Sequence, residues 1–171
     1  MAKMELMDLL QSRHAFREYD DQPLTSEELQ PILLAAETSP VGLGKYQNHA
    51  LTVIQNPEVL KKIQNIYHAP TLIVVSSPNP SQLEFIDAGI IVHSMELAAE
   101  NEGLAANYNM ACLSSLPKGV IPEKMTPCFA LTLGHTKAKL TPREIDIKRI
   151  PIKWIKEDWF YFLGNQKEAG N

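Results

Sequence analysis

This sequence predicts a fold of helices interleaved with strands around one core, on three observations. The 171 residues are 44% hydrophobic, enough to bury one sizeable core and most simply read as one domain. Apolar spacing shifts back and forth between a helical and a strand period along the chain. No Gly/Ser-rich linker or internal repeat divides it, so residues 1–171 are expected to form a single domain, with a C-terminal arm over about 150–171.

Taken in order, Met4, Met7 and Leu10 recur at helical spacing and predict a short first helix that delivers Arg13. Thr25 and Glu28 form a capping-box pattern ahead of Leu29, Ile32, Leu33 and Ala36, which predicts a second helix ending near Ser39-Pro40. Pro31 lies inside it, so either the helix is kinked or its regular part starts close to Pro31. Leu51-Thr52-Val53-Ile54 reads as a strand, Pro57 to Asn65 as a short helix, and Thr71-Leu72-Ile73-Val74-Val75 as a buried strand of mostly β-branched residues. The longest helix runs from about Gln82 to Glu102 and stops at Gly103. Its Ile86, Ala88, Ile90, Ile91, Val92, Met95, Leu97, Ala98 and Ala99 leave almost no continuous polar face, which calls for burial nearly all round and points to a partner subunit on one side. Leu104 to Tyr108 and Cys128 to Leu133 read as further strands, the second closed by Gly134. The apolar C-terminal run Trp154-Ile155 and Trp159-Phe160-Tyr161-Phe162-Leu163 needs a surface to lie on, its own core or a neighbouring subunit.

Composition narrows the function classes. A net charge of -4 with scattered basic residues argues against nucleic-acid binding, which needs several phosphates neutralised together. No apolar run approaches membrane-span length, and the N-terminus does not read as a secretory signal. Cys112 and Cys128 are too few for a disulfide framework, so a reduced cytoplasmic protein with two core cysteines is expected. His49, His68 and His93 lack metal-ligand spacing and read as surface or packing residues; no metal is expected.

The most informative segment is Arg13-His14-Ala15-Phe16-Arg17, which places two guanidiniums and an imidazole just after the first helix of an acidic protein. The planar guanidinium fork can donate paired charge-assisted hydrogen bonds to phosphate oxygens. Arginines at a helix C-terminus also complement the helix dipole, and on these residues alone both readings stand.

Segments from Leu9 to Arg149 then carry a resemblance. They comprise Arg13 to Arg17 with the following aromatic, Pro23-Leu24-Thr25-Ser26-Glu27-Glu28-Leu29, Ala35 to Pro40, Gln47-Asn48-His49, Ala69 to Val75, Asp87-Ala88-Gly89, Glu102-Gly103-Leu104, Ile121-Pro122-Glu123 and Ala130 to His135. In this order and spacing the chain resembles a small member of the nitroreductase family of FMN-dependent oxidoreductases. The resemblance implies an α+β fold, a mixed, mainly antiparallel sheet flanked by helices, in an intertwined homodimer with FMN at the subunit interface. It also implies that Arg13 and Arg17 meet the phosphate or ribityl chain together with His14, and that Arg149, with Lys148 beside it, closes on the same phosphate.

Departures from the family pattern fall at these contacts. Ala15 stands where a serine is common, leaving only backbone to contribute there. The usual Ser/Asn-rich loop is replaced by Pro40 to His49, in which Val41, Gly42, Lys45 and Gln47 are the candidate flavin contacts. Its glycines would allow close backbone approach to a ring or phosphate. Asn109, Met110 and Ala111 occupy the position from which the family presents a backbone N–H to the flavin N5, without its usual glycine.

The resemblance implies a ping-pong reaction in which NAD(P)H reduces the flavin, leaves, and is replaced by a nitroaromatic or quinone. The flavin carries that chemistry, so no catalytic side chain is expected. This agrees with the lack of a GxSxG or HExxH motif. The altered loop at Val41 to Tyr46 motivates an alternative, an FMN-binding carrier or regulatory module without efficient turnover. Ala15 and Met110 motivate a third reading, an interaction protein that has lost the cofactor.

Overall fold

The computed structural model describes residues 5–139, 141–146 and 149–155. Four helices are α1 (Leu6–Ser12), α2 (Ser26–Glu37), α3 (Pro57–Leu60) and α4 (Gln82–Asn101). Four strands are β1 (Ala50–Ile54), β2 (Thr71–Ser77), β3 (Ala105–Tyr108) and β4 (Thr126–Gly134), in the spatial order β1-β2-β4-β3. All three pairings are antiparallel, so the α+β class and the mainly antiparallel sheet hold, and no parallel pair occurs among the described residues.

The central strand β2 has every residue buried, as its β-branched run requires. Period-two alternation divides it between two cores. Ile73 and Val75 meet Leu29 and Ile32 of α2 and Ile91, Val92 and Met95 of α4, while Leu72 and Val74 meet Leu60, Ile63 and Ile66 on the opposite face. Leu131 and Leu133 of β4 join the first core and Ala130 joins the second. Both cysteines are free and buried, one in each core, and burial pushes the Cys112 thiol up to about 11.

Local signals set the helix ends. In α2 both halves of the capping box form: the Glu28 N–H donates to Thr25 Oγ1 and the Thr25 N–H to Glu28 Oε2. The helix runs through Pro31 to Glu37, so its regular part does not begin at the proline. Helix α4 ends with Gly103 at φ 81°, its N–H donating to Glu100 O and the Leu104 N–H to Ala99 O, the paired bonds of a Schellman turn.

One expectation needs correction. The helix expected over Pro57 to Asn65 ends at Leu60. Leu60, Ile63 and Ile66 are all buried, but successive i to i+3 turns deliver this three-residue recurrence, followed by left-handed backbone at Asn65, Tyr67 and His68. In α1 the buried residues are Leu9 and Ser12, whereas Met7 is 61% exposed, because α1 packs on α4 through a different face from the apolar stripe. Within this one chain Phe85, Ile86 and Ile90 of α4 are exposed while Asp87, Glu96 and Glu100 are buried. Trp154 and Ile155 are likewise exposed; Trp159 to Leu163 lie outside the described residues.

His135, just past β4, lies with Nε2 2.8 Å from Glu28 Oε1 and ties the sheet to the start of α2. The bond to Glu28 raises the His135 pKa above 6.5. The Thr25 N–H, and then His135, lower that of Glu28 below 4.5. The histidine's contribution is complete below its unfolded value and fades as pH rises through the raised folded one. The glutamate's contribution is present above its unfolded value and fades as pH falls through the lowered folded one, so the pair stabilises most at about pH 4.5 to 6.5. Both partners are about one-third exposed, so His135→Asn is expected to cost no more than about 1 kcal/mol. Thermal unfolding should show that cost at about pH 5.5 and its loss by about pH 9.

Candidate functional site

Residues Arg13 to Asp20 leave α1 as an extended segment held at both ends. The Phe16 N–H donates to Ala106 O of β3 at 3.2 Å, and the Asp20 N–H donates to His135 O at 2.9 Å. Between them the Tyr19 hydroxyl donates to Phe16 O at 2.9 Å and shares a 2.8 Å bond with Thr132 Oγ1. Burial pushes that phenol up to about 12. The segment crosses the C-terminal half of α4, where Glu96 and Glu100 sit one turn apart and fully buried.

Those two carboxylates organise the predicted cationic cluster. Arg13 Nη1 lies 3.2 Å from Glu96 Oε1, and its guanidinium carbon lies 5.7 Å from the centre of the Tyr108 ring. The His14 backbone N–H donates to Glu100 Oε1 at 3.1 Å. Arg143 Nε donates to Gln11 O at 3.0 Å, and Arg143 Nη2 donates to Arg13 O. The Tyr108 hydroxyl meets His93 Nδ1 at 2.5 Å, and the same imidazole nitrogen lies 3.7 Å from Glu96 Oε2. Burial raises the pKa of Glu96 despite Tyr108 and Arg13, and burial foremost pushes Glu100 up to about 7, with the neighbouring Glu96 charge adding to it.

The remaining predicted residues fall in three places. Arg17 is exposed, its guanidinium carbon 5.6 Å from the centre of the Tyr67 ring, and Ala15 beside it is exposed. Asn109 does not present its side chain outward: Nδ2 donates to Asn65 O at 2.7 Å, Oδ1 accepts from the Cys112 N–H at 3.1 Å, and the residue is buried. It clamps the 61–68 turns to the end of β3. Met110 and Ala111, next along, are exposed, and neither N–H finds a backbone acceptor among the described residues. Arg149 is exposed, its N–H donating to Asp146 O, and Lys148 lies outside the described residues.

The loop expected to approach a ligand is seated on the N-terminal half of α4. Its Gly42 N–H donates to the buried Asp87 Oδ1 at 2.9 Å, and His49 Nε2 lies 3.3 Å from Asp87 Oδ2. A Cβ at Gly42 would fall 2.5 Å from Leu83 Cδ1, so this glycine permits a close approach of the loop to the helix. Lys45 and Gln47 are exposed in the two short 3-10 turns that follow, and Val41 is half-buried. Val41, Tyr46 and His49 border a cavity of about 470 Å³ with Ala36, Glu37, Leu51 and Ile91. A second cavity of about 740 Å³ lies beside Asn65, Tyr67 and His68, next to Arg17.

Sequence reasoning missed Glu96, Glu100, Asp87, Tyr67 and Tyr108 as organisers of these segments. The carboxylates carried one available signal, acids beyond the capping Glu84 on a helix apolar nearly all round. Asp87→Ala is expected to cost about 1.5 to 3 kcal/mol of stability, the range for hydrogen bonds to a charged group. Amide exchange should accelerate in peptides covering 40–49 and stay unchanged over 61–68.

Comparison with known proteins agrees with this architecture. Residues 10–68, which include Arg13, Arg17 and the loop on α4, match the family model described as the nitroreductase family. A Methanothermobacter thermautotrophicus protein provisionally named an NADH dehydrogenase/NAD(P)H nitroreductase is 28% identical over 175 residues, covering 90% of each chain. The crystal structure of a nitroreductase family protein from Clostridium difficile 630 superposes with a TM-score of 0.71 at 27% identity, over 87% of this chain and 95% of that one. A nitroreductase with bound FMN from Desulfitobacterium hafniense DCB-2 shares the fold with a TM-score of 0.72 at 21% identity, over 85% and 96%. The matched cationic segment, its place across α4 and β3, and the shared antiparallel architecture agree: over residues 10–68 the chain matches the nitroreductase family model, and it shares the fold of solved nitroreductases.

Proposed function

We propose that this protein is an FMN-dependent oxidoreductase that passes electrons from NAD(P)H to an electron-poor acceptor, a nitroaromatic or quinone, the two substrates using one pocket in turn. The observation that carries the reading is the pair of accessible guanidiniums on the held segment Arg13 to Arg17, within a chain whose fold neighbour from D. hafniense holds FMN.

The residues present fit such a cofactor. Arg13 spends one N–H on Glu96 while its side chain stays 32% exposed, and a guanidinium has five N–H groups to give. Arg17 stacks on Tyr67 with its head group accessible. Arg13 and Arg17, with Arg149 and Lys148 from the other end of the chain, would hold the phosphate, and His14 would border it. The backbone N–H groups of the exposed residues Met110 and Ala111 would supply donors at the ring edge, and the Asn109 clamp would keep their turn in place. Val41, Gly42, Lys45 and Gln47 would border the ring from the loop anchored by Asp87. FMN supplies the electron-transfer chemistry when bound, and the protein binds it, orients it and places cations beside it.

A homodimer completes this reading. Phe85, Ile86 and Ile90 on α4 and Ile150, Ile152, Trp154 and Ile155 near the C-terminus are exposed apolar groups that a second copy would cover, consistent with one domain carrying a C-terminal arm. No described helix is long and apolar enough to cross a membrane.

Purified protein mixed with FMN and freed of excess should retain the flavin absorbance, bleach on anaerobic NADH or NADPH, and recover its colour with a quinone. Retention without bleaching would favour the carrier reading, and no retention would overturn cofactor binding. The double variant Arg13→Ala, Arg149→Ala should bind FMN at least about 100-fold more weakly, since two charge-assisted contacts are lost.

A further inference from the structure

The buried carboxylate of Glu96 is unexplained by packing. Its helix neighbours on the same side, Val92, Met95 and Ala99, lie in an apolar core, and a leucine there would avoid the cost of removing a charge from water. An ion pair with one partner fully buried is a poor stability device on its own, because desolvation offsets most of the attraction. What Glu96 does contribute is a fixed direction for Arg13.

Arg13 is constrained from three sides. Glu96 Oε1 holds Nη1 at 3.2 Å, the Tyr108 ring lies beside the guanidinium, and Arg143 grips the Arg13 carbonyl. One residue on, the His14 N–H is bound to Glu100 at 3.1 Å, so the backbone is fixed as well as the side chain. A free arginine side chain carries about 2 kcal/mol of rotamer entropy, much of which a ligand must otherwise remove on binding. Here the chain itself has removed it. Nη1 is engaged by Glu96, and the side chain as a whole stays about one-third exposed.

We infer that Glu96 is a positioning residue for anion recognition: through its ion pair it presents Arg13, already ordered beside Tyr108, to the phosphate end of the flavin. This rests on the FMN reading and adds the group that makes one of its arginines competent.

The test compares FMN with riboflavin, which has the same ring and no phosphate, by flavin-fluorescence titration of the full-length protein. In Glu96→Leu the Kd for FMN should rise about tenfold and that for riboflavin less than about twofold. Glu96→Gln, which keeps an acceptor for Nη1, should recover most of the loss and serves as the deciding variant if Glu96→Leu does not fold. In an Arg13→Gln background, Glu96→Leu should cause no further loss for FMN, as expected for a residue acting only through Arg13.

Unchanged FMN affinity in Glu96→Leu, parallel losses for FMN and riboflavin, or additive losses in the double variant would each overturn the inference. If Glu96→Leu fails to fold, a Glu96→Gln protein as impaired as Arg13→Gln would overturn it. Failure of the underlying reading looks different: wild-type protein would bind neither flavin, or Arg13→Gln would bind FMN as well as wild type.

Discussion

Three buried acids on one largely apolar helix impose the constraint on which the arrangement of the site depends. Asp87, Glu96 and Glu100 of α4 are buried, and a buried carboxylate without a donor is too costly to persist in ionised form. Each therefore draws a segment of chain onto the helix. Asp87 takes the Gly42 amide and His49, Glu96 takes Arg13, and Glu100 takes the His14 amide. The two loops that the family resemblance associates with cofactor contact are thus docked on a single rigid element.

The rest of the scaffold keeps that element in place. Helix α4 is capped at both ends, by a Ser81–Glu84 capping box and by the Gly103 turn, and its apolar side packs on α2 and the sheet. The sheet in turn fixes the far end of the Arg13 to Asp20 segment through Ala106 and His135. A residue on that segment is therefore located by the helix on one side and by strands on the other. Such double support lets an exposed, polar stretch hold defined positions without secondary structure of its own. The clamp formed by Asn109 plays the same part for the Met110-Ala111 turn, binding Asn65 and Cys112 with one amide.

Polar and apolar groups on α4 are distributed against the usual pattern, and the two departures belong together. Where an ordinary surface helix would turn charges outward, this one buries three and exposes Phe85, Ile86 and Ile90. An apolar exposed strip favours contact with another surface, while inward carboxylates favour contact with donors from the chain's own loops. The helix is covered by its own chain's segments over the acids, while its apolar strip stays exposed within this one chain.

Much of the fold was legible because local chemistry specified it. Thr25 and Glu28 announced the start of α2, Gly103 the end of α4, and the β-branched run at Thr71 to Val75 a strand buried on both faces, each through hydrogen bonding or side-chain shape within a few residues. The cluster of Arg13 and Arg17 was legible too, as paired guanidiniums in an acidic chain. What surrounds them was not. Periodicity could not say which side of a nearly all-apolar helix holds Glu96 and Glu100, that Asn109 turns inward, or that Gly42 is needed against Leu83. Those outcomes depend on pairings across 83 residues between Arg13 and Glu96 and 45 between Gly42 and Asp87. The sequence by itself determined the elements, their caps and the identity of the cationic segment, whereas only the tertiary structure decided which buried acid each segment must satisfy, because desolvation acts on groups brought together by folding and not on neighbours in the chain.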